Sequence, residues 1–94
     1  MDKIIAEIVA ERRRQIEIEG WTHDHDDQHD AGELAGAGAA YALNAACVLY
    51  PLNGTPLDEP PESFLFEKSW WKPKGPRRDL IRAAALIVAE LEKL

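Results

Sequence analysis

The string Trp70-Trp71-Lys72-Pro73-Lys74-Gly75-Pro76-Arg77-Arg78 holds the side chains best suited to chemistry in this chain, and Arg82 follows one helical turn later. Aromatic faces beside Lys and Arg are what a nucleobase and its phosphates need, one for stacking and the other for charge-assisted hydrogen bonds. Arg78 and Arg82 are four residues apart and share a face if the segment is helical. A helix amino terminus flanked by arginines suits an anion. Trp70, Trp71, Lys72, Lys74, Arg77, Arg78 and Arg82 are therefore the candidate ligand contacts. Trp21 is a further aromatic that can cover a ligand or plug the core. A second group lies between Gly20 and Asp30, where His23, His25 and His29 alternate with Asp24, Asp26, Asp27 and Asp30. Imidazole and carboxylate are nitrogen and oxygen donors for a divalent metal. His25, His29, Asp26 and Asp30, with Glu33, are the candidate ligands, although their spacing follows no recognised metal motif. No motif demands a cofactor, and a divalent metal is the one candidate.

The charges that surround these groups are segregated. The net charge is −6, yet no Lys or Arg occurs from Gln15 to Glu67. Between Lys68 and Arg82 the balance reverses, with six basic residues against Asp79 alone. An uneven field of this kind has two readings: acidic and basic faces pair within the fold or between subunits, or the basic segment forms a pocket for a small anion. A long nucleic acid is not expected, since phosphate contacts along a polyanion need more clustered cations. With 46% hydrophobic and 30% charged residues in 94, the composition is that of one folded domain, residues 1–94. Cys47 is the only cysteine, which excludes an internal disulfide and a cysteine-based zinc site. No apolar run is long enough to span a membrane. The amino terminus lacks the apolar core of a signal peptide, so a cytoplasmic protein is expected.

Three helices must position these groups. Ile4, Ile5, Ile8, Val9 and Ile16 recur at helical spacing over about residues 2–19, with Asp2 placed to cap the start and Gly20 the stop. Asp30-Ala31-Gly32-Glu33 has the form of a capping box and opens a helix over about 31–49. That helix is rich in Ala and Gly, and Gly32, Gly36 and Ala40 make one face nearly smooth. Glycine inside a helix costs about 1 kcal/mol against alanine, so close helix packing must offset it. A domain this small also gains from self-association, expected through the same face. Leu80, Ile81, Ala84, Ile87, Val88, Leu91 and Leu94 form an apolar stripe over about 77–94. All six prolines fall between Pro51 and Pro76. Leu57, Phe64, Leu65, Phe66, Trp70 and Trp71 predict that this long connection packs on the helices. The expected fold is all-α, three main helices with one long Pro- and Trp-containing loop.

Two resemblances follow from these strings. Glu11-Arg12-Arg13-Arg14-Gln15, Gly20-Trp21-Thr22, His25-Asp26-Asp27-Gln28-His29, Trp71-Lys72-Pro73 and Arg77-Arg78-Asp79-Leu80 resemble a family of small phage and prophage proteins. That resemblance implies a phage origin, in the cytoplasm of a bacterial host, and no particular activity. The order of a helix, Gly20-Trp21-Thr22, Asp26-Asp27 and a closing helix with Arg78, Leu80 and Ala84 is similar to the ryanodine-receptor repeat domain. This second likeness implies a helical module for nucleotide-like ligands, with Trp21, Asp26 and Asp27 as fold-defining positions. The Ala/Gly helix and the Pro-rich loop depart from that family.

The leading expectation is a ligand-binding module for a small anionic, nucleotide-like molecule at the Trp/Arg segment. One alternative is an interaction protein that blocks a host protein through its aromatic anchors. Another is a metal-dependent nucleotide pyrophosphohydrolase similar to the all-α MazG type, although the paired Glu-x-x-Glu and Glu-x-x-Asp motifs of that family are missing here and Glu33 stands alone.

Overall fold

A computed structural model describes residues 1–17, 32–50 and 54–94. It is all-α: α1 spans Asp2–Glu17, α2 Glu33–Leu49 and α3 Pro76–Lys93, with a 3₁₀ turn at Lys68–Trp70. The helix starts differ slightly from expectation for local reasons. Asp2 already lies in the first turn of α1, where Met1 O accepts the Ile5 N–H, so Met1 takes the cap position. Pro76 opens α3, a position where its fixed φ suits the helix and its missing N–H costs nothing. The expected stop at Gly20 lies outside the described residues.

The helix α3 is the central element. It packs along α2 on one side and against α1 on another, while α1 and α2 make no close backbone approach among the described residues. The core consists of Leu34, Ala37, Ala40 and Tyr41 of α2, Ala83, Leu86 and Ala89 of α3, and Phe64 from the loop. Phe66 and Trp71 pack against it, so the loop does fold back on the helices as its apolar anchors predict. Leu65 is an exception and faces solvent.

The smooth face of α2 is used within the chain. A Cβ on Gly38 would stand 3.1 Å from Ala83 O and 3.2 Å from Ile87 Cγ1, so α2 and α3 approach closely there. A Cβ on Gly36 would run into the carbonyl oxygen of Ser63. Of the residues assigned to that face, Gly36 meets the loop and Ala40 is buried in the core of the same chain, while Gly32 is exposed. Gly36→Ala is expected to destabilise the fold by about 2 kcal/mol, because a rigid backbone oxygen must move and that outweighs the gain in helix propensity. Urea unfolding followed by circular dichroism measures it, and an unchanged midpoint would contradict the packing described.

Two apolar patterns point outward. On α1 the buried residues are Glu11, Arg12 and Gln15, whereas Ile4, Ile5 and Val9 are exposed. On α3 the buried residues include Asp79, Arg82 and Glu90, whereas Leu80, Ile87, Val88 and Leu91 are exposed, as is Leu94 just beyond it. The core-facing side of α3 is mainly alanine with Ile81 and Leu86, which suits the close approach at Gly38 of α2. The sequence periodicity correctly locates both helices, but the stripes it selects are largely the outer faces.

Candidate functional site

The amino-terminal half of α3 presents Arg77, Arg78 and Arg82 toward α1, and each meets an acid there. Arg77 donates two hydrogen bonds to the Glu7 carboxylate, both 2.7 Å, at the surface. Arg78 pairs with Glu11 Oε1 at 2.5 Å. Arg82 Nε lies 3.9 Å from Glu11 Oε2, beyond hydrogen-bonding distance, and has no hydrogen-bond partner among the described residues. Glu11 also accepts both bonds of the Arg14 fork at 2.9 Å and a bond from Gln15 Nε2 at 3.2 Å. One carboxylate, in a residue only 2% exposed, thus stands among three guanidinium groups. Burial pushes the Glu11 carboxyl up, but Arg14 and then Arg78 more than offset this and hold it below the ordinary glutamate value.

Tyr41 joins this cluster to the Trp-containing loop. Its hydroxyl accepts from Arg82 Nη1 at 3.2 Å and from the Lys72 N–H at 3.1 Å, and donates to Trp70 O at 3.4 Å. Arg82 Nη1 also donates to Lys72 O at 3.1 Å. The Trp71 ring stacks on Tyr41 at 4.7 Å and meets Phe64 edge-on at 5.3 Å, which makes it part of the core. Trp70 stacks on Phe66 at 5.5 Å and remains 39% exposed. Lys72 and Lys74 are exposed. The loop is pinned a second time by Asp79, which is fully buried. Its carboxylate accepts from Asn44 Nδ2 at 3.0 Å and from the Lys74 N–H at 2.8 Å, and Asn44 Oδ1 in turn accepts the Leu57 N–H at 2.7 Å.

The candidate anion contacts are therefore brought to one region but are not equivalent. Arg82, Tyr41 and Trp71 form its buried base, while Arg78, Lys72, Lys74 and Trp70 keep exposed surface. Arg77 is turned to Glu7. Trp21, His25, His29, Asp26 and Asp30 lie outside the described residues. Glu33 sits in the first turn of α2. Among the described residues no group of three His, Cys, Asp or Glu side chains is placed to hold a metal ion. No described helix is long and apolar enough to cross a membrane.

Several partners escaped the sequence reading. Glu90, from the far end of α3, accepts the Gly32 N–H at 3.1 Å and the Ala35 N–H at 2.9 Å. It supplies the cap for α2, since Gly32, at φ 100°, occupies the cap position and has no side chain to offer. The only signal for Glu11 was its spacing to Arg14 and Gln15, three and four residues on. Nothing local to Tyr41, Asn44 or Glu90 marks their roles, which depend on contacts across the fold. Comparison with protein families, curated proteins and solved structures finds no match for this chain.

Proposed function

We propose that the protein is a small ligand-binding module for a phosphate-bearing, nucleotide-like anion, as the ryanodine-receptor-repeat resemblance implies. The observation that carries the reading is the single buried carboxylate of Glu11 among Arg14, Arg78 and Arg82, with Arg82 Nε unpartnered among the described residues. Arg82 supplies positive charge from beneath, where solvent screens it poorly. The partly exposed Arg78 would make the direct contact with a phosphate, and Lys72 and Lys74 would form the rim. Trp70 offers the aromatic surface for a base, while Trp71 serves as a wall and not as a stacking partner.

In this arrangement Glu11 is an internal competitor for the guanidinium groups that the ligand uses. Two substitutions then act in opposite directions. Calorimetric titration with nucleotides, cyclic dinucleotides and inorganic pyrophosphate should give a binding isotherm for the unaltered protein. Arg78→Ala should weaken it at least about tenfold, the loss of a charge-assisted bond of about 1.4 kcal/mol. Glu11→Gln should strengthen it. No heat with any of these ligands, for either the native chain or Glu11→Gln, would sink the proposal.

A specific observation also favours an interaction protein. A groove of about 320 Å³ between α1 and α3 is lined by Ile8, Val9, Arg12, Arg13, Ile16, Val88 and Glu92, and exposed aliphatic residues continue beside it.

A further inference from the structure

The segment that leads into α3 is an extended row held by its backbone. It begins where the 3₁₀ turn ends, at Trp71, whose φ of −75° and ψ of 108° are extended. Exposure alternates along it: Trp70, Lys72 and Lys74 face solvent, while Trp71, Pro73 and Gly75 between them are half-buried. Alternate side chains of an extended chain point to opposite sides, so one aromatic and two cations stand in line on the outer side. Side chains of the helices fix this row from behind. The Tyr41 hydroxyl donates to Trp70 O at 3.4 Å and accepts the Lys72 N–H at 3.1 Å. Arg82 Nη1 donates to Lys72 O at 3.1 Å, and Asp79 accepts the Lys74 N–H at 2.8 Å. A row ordered in advance loses less freedom when it binds. Its cations are also available. Lys68 is paired with Glu59 at 2.6 Å, whereas Lys72 and Lys74 form no ion pair among the described residues. Phe66 stacks on one face of Trp70, yet 39% of that residue stays exposed.

We infer that this row reads the length of a nucleotide's phosphate chain, and that the ligand class is a nucleoside di- or triphosphate. The inference rests on the reading of this region as a site for a nucleotide-like anion. An extended chain rises about 3.3 Å per residue, so Lys72 stands about 7 Å and Lys74 about 13 Å along the row from Trp70. A base laid on Trp70 brings its ribose and first phosphate to Lys72. Only a longer phosphate chain continues to Lys74. A nucleoside monophosphate therefore leaves Lys74 unused, and an inorganic phosphate chain leaves Trp70 unused.

Calorimetric titration at fixed ionic strength with adenosine mono-, di- and triphosphate, and with inorganic triphosphate, tests the inference. Affinity is expected to rise about fivefold with each added phosphate, the upper end for an exposed ion pair. Lys74→Ala should bring the nucleoside triphosphate down to the affinity of the diphosphate and leave the monophosphate unchanged. Lys93→Ala, at the far end of α3, should leave the whole series intact. Trp70→Ala should weaken the three nucleotides but not inorganic triphosphate, which also shows that the variant is folded. Nucleotides that bind equally whatever their phosphate number, or a series as steep in Lys74→Ala as in the native chain, would overturn the inference and leave the anion site standing. No binding of nucleotide or inorganic triphosphate removes the site, and the inference with it.

Discussion

Replacing Glu11 by alanine is expected to cost about 3 kcal/mol of stability, the largest loss for any single substitution outside the apolar core. The reason is what remains behind. Arg14 and Arg78 lose the oxygens they donate to at 2.9 and 2.5 Å, and Arg82 loses the carboxylate that lies 3.9 Å from its Nε. Three like charges then face one another beside the buried side chain of Gln15. The partial exposure of Arg14 and Arg78 lets water relieve some of this, which holds the figure to the lower end for a disrupted buried pair. In a chain of this size about 3 kcal/mol lowers Tm by roughly 15 °C. Scanning calorimetry measures the shift. Millimolar phosphate or pyrophosphate should recover part of the loss in Glu11→Ala by taking the place of the carboxylate, and should do less for the native chain. A Tm within a few degrees of native would mean that the cluster is not held together by Glu11.

Glu90→Ala is expected to cost about 2 kcal/mol. Its carboxylate is nearly buried and accepts two main-chain N–H groups at the start of α2, at 2.9 and 3.1 Å, where no local side chain caps the helix. Burial pushes the Glu90 carboxyl up, but the main-chain donors of Ala35 and Gly32 outweigh this and hold it below its ordinary value. Glu11 is held low as well. The sign follows directly. A carboxyl whose pKa is lower in the folded chain contributes stability at pH above its unfolded value, near about 4.3, and that contribution is lost as the pH falls through the folded value. Urea midpoints should therefore be flat from neutrality down to about pH 5 and decline below it. The decline should be shallower in Glu90→Gln and in Glu11→Gln than in the native chain. Identical slopes in all three would contradict the assignment of these two residues.

The physical basis of what the sequence did and did not convey is visible in particular residues. Helix spacing of Ile4, Ile5, Ile8 and Val9, and of Leu80, Ile87 and Leu91, locates α1 and α3, because amphipathic periodicity is a local property. The side of each helix that faces the core is not local. Gly38 brings α2 so close to α3 that the buried face of α3 there has to be small, and Ala83, Ala85 and Ala89 are the small buried residues of that helix. The larger aliphatic side chains are left outside. The basic segment was legible as a cluster because its residues are adjacent in sequence. Its counter-charges, Glu7 and Glu11, lie some 70 residues away, and only the packing of α1 on α3 brings them in. The tryptophans divide for a similar reason. Trp71 finds Tyr41 and enters the core, whereas its neighbour Trp70 stays at the rim.

Native mass spectrometry of freshly purified protein tests the central claim most directly, since one spectrum reports subunit number and any retained ligand. The account predicts a phosphate-bearing adduct, up to one on each 10.5 kDa chain. Arg78→Ala should lose the adduct. A bare 10.5 kDa chain, with no adduct even after addition of nucleotide or pyrophosphate, would contradict it.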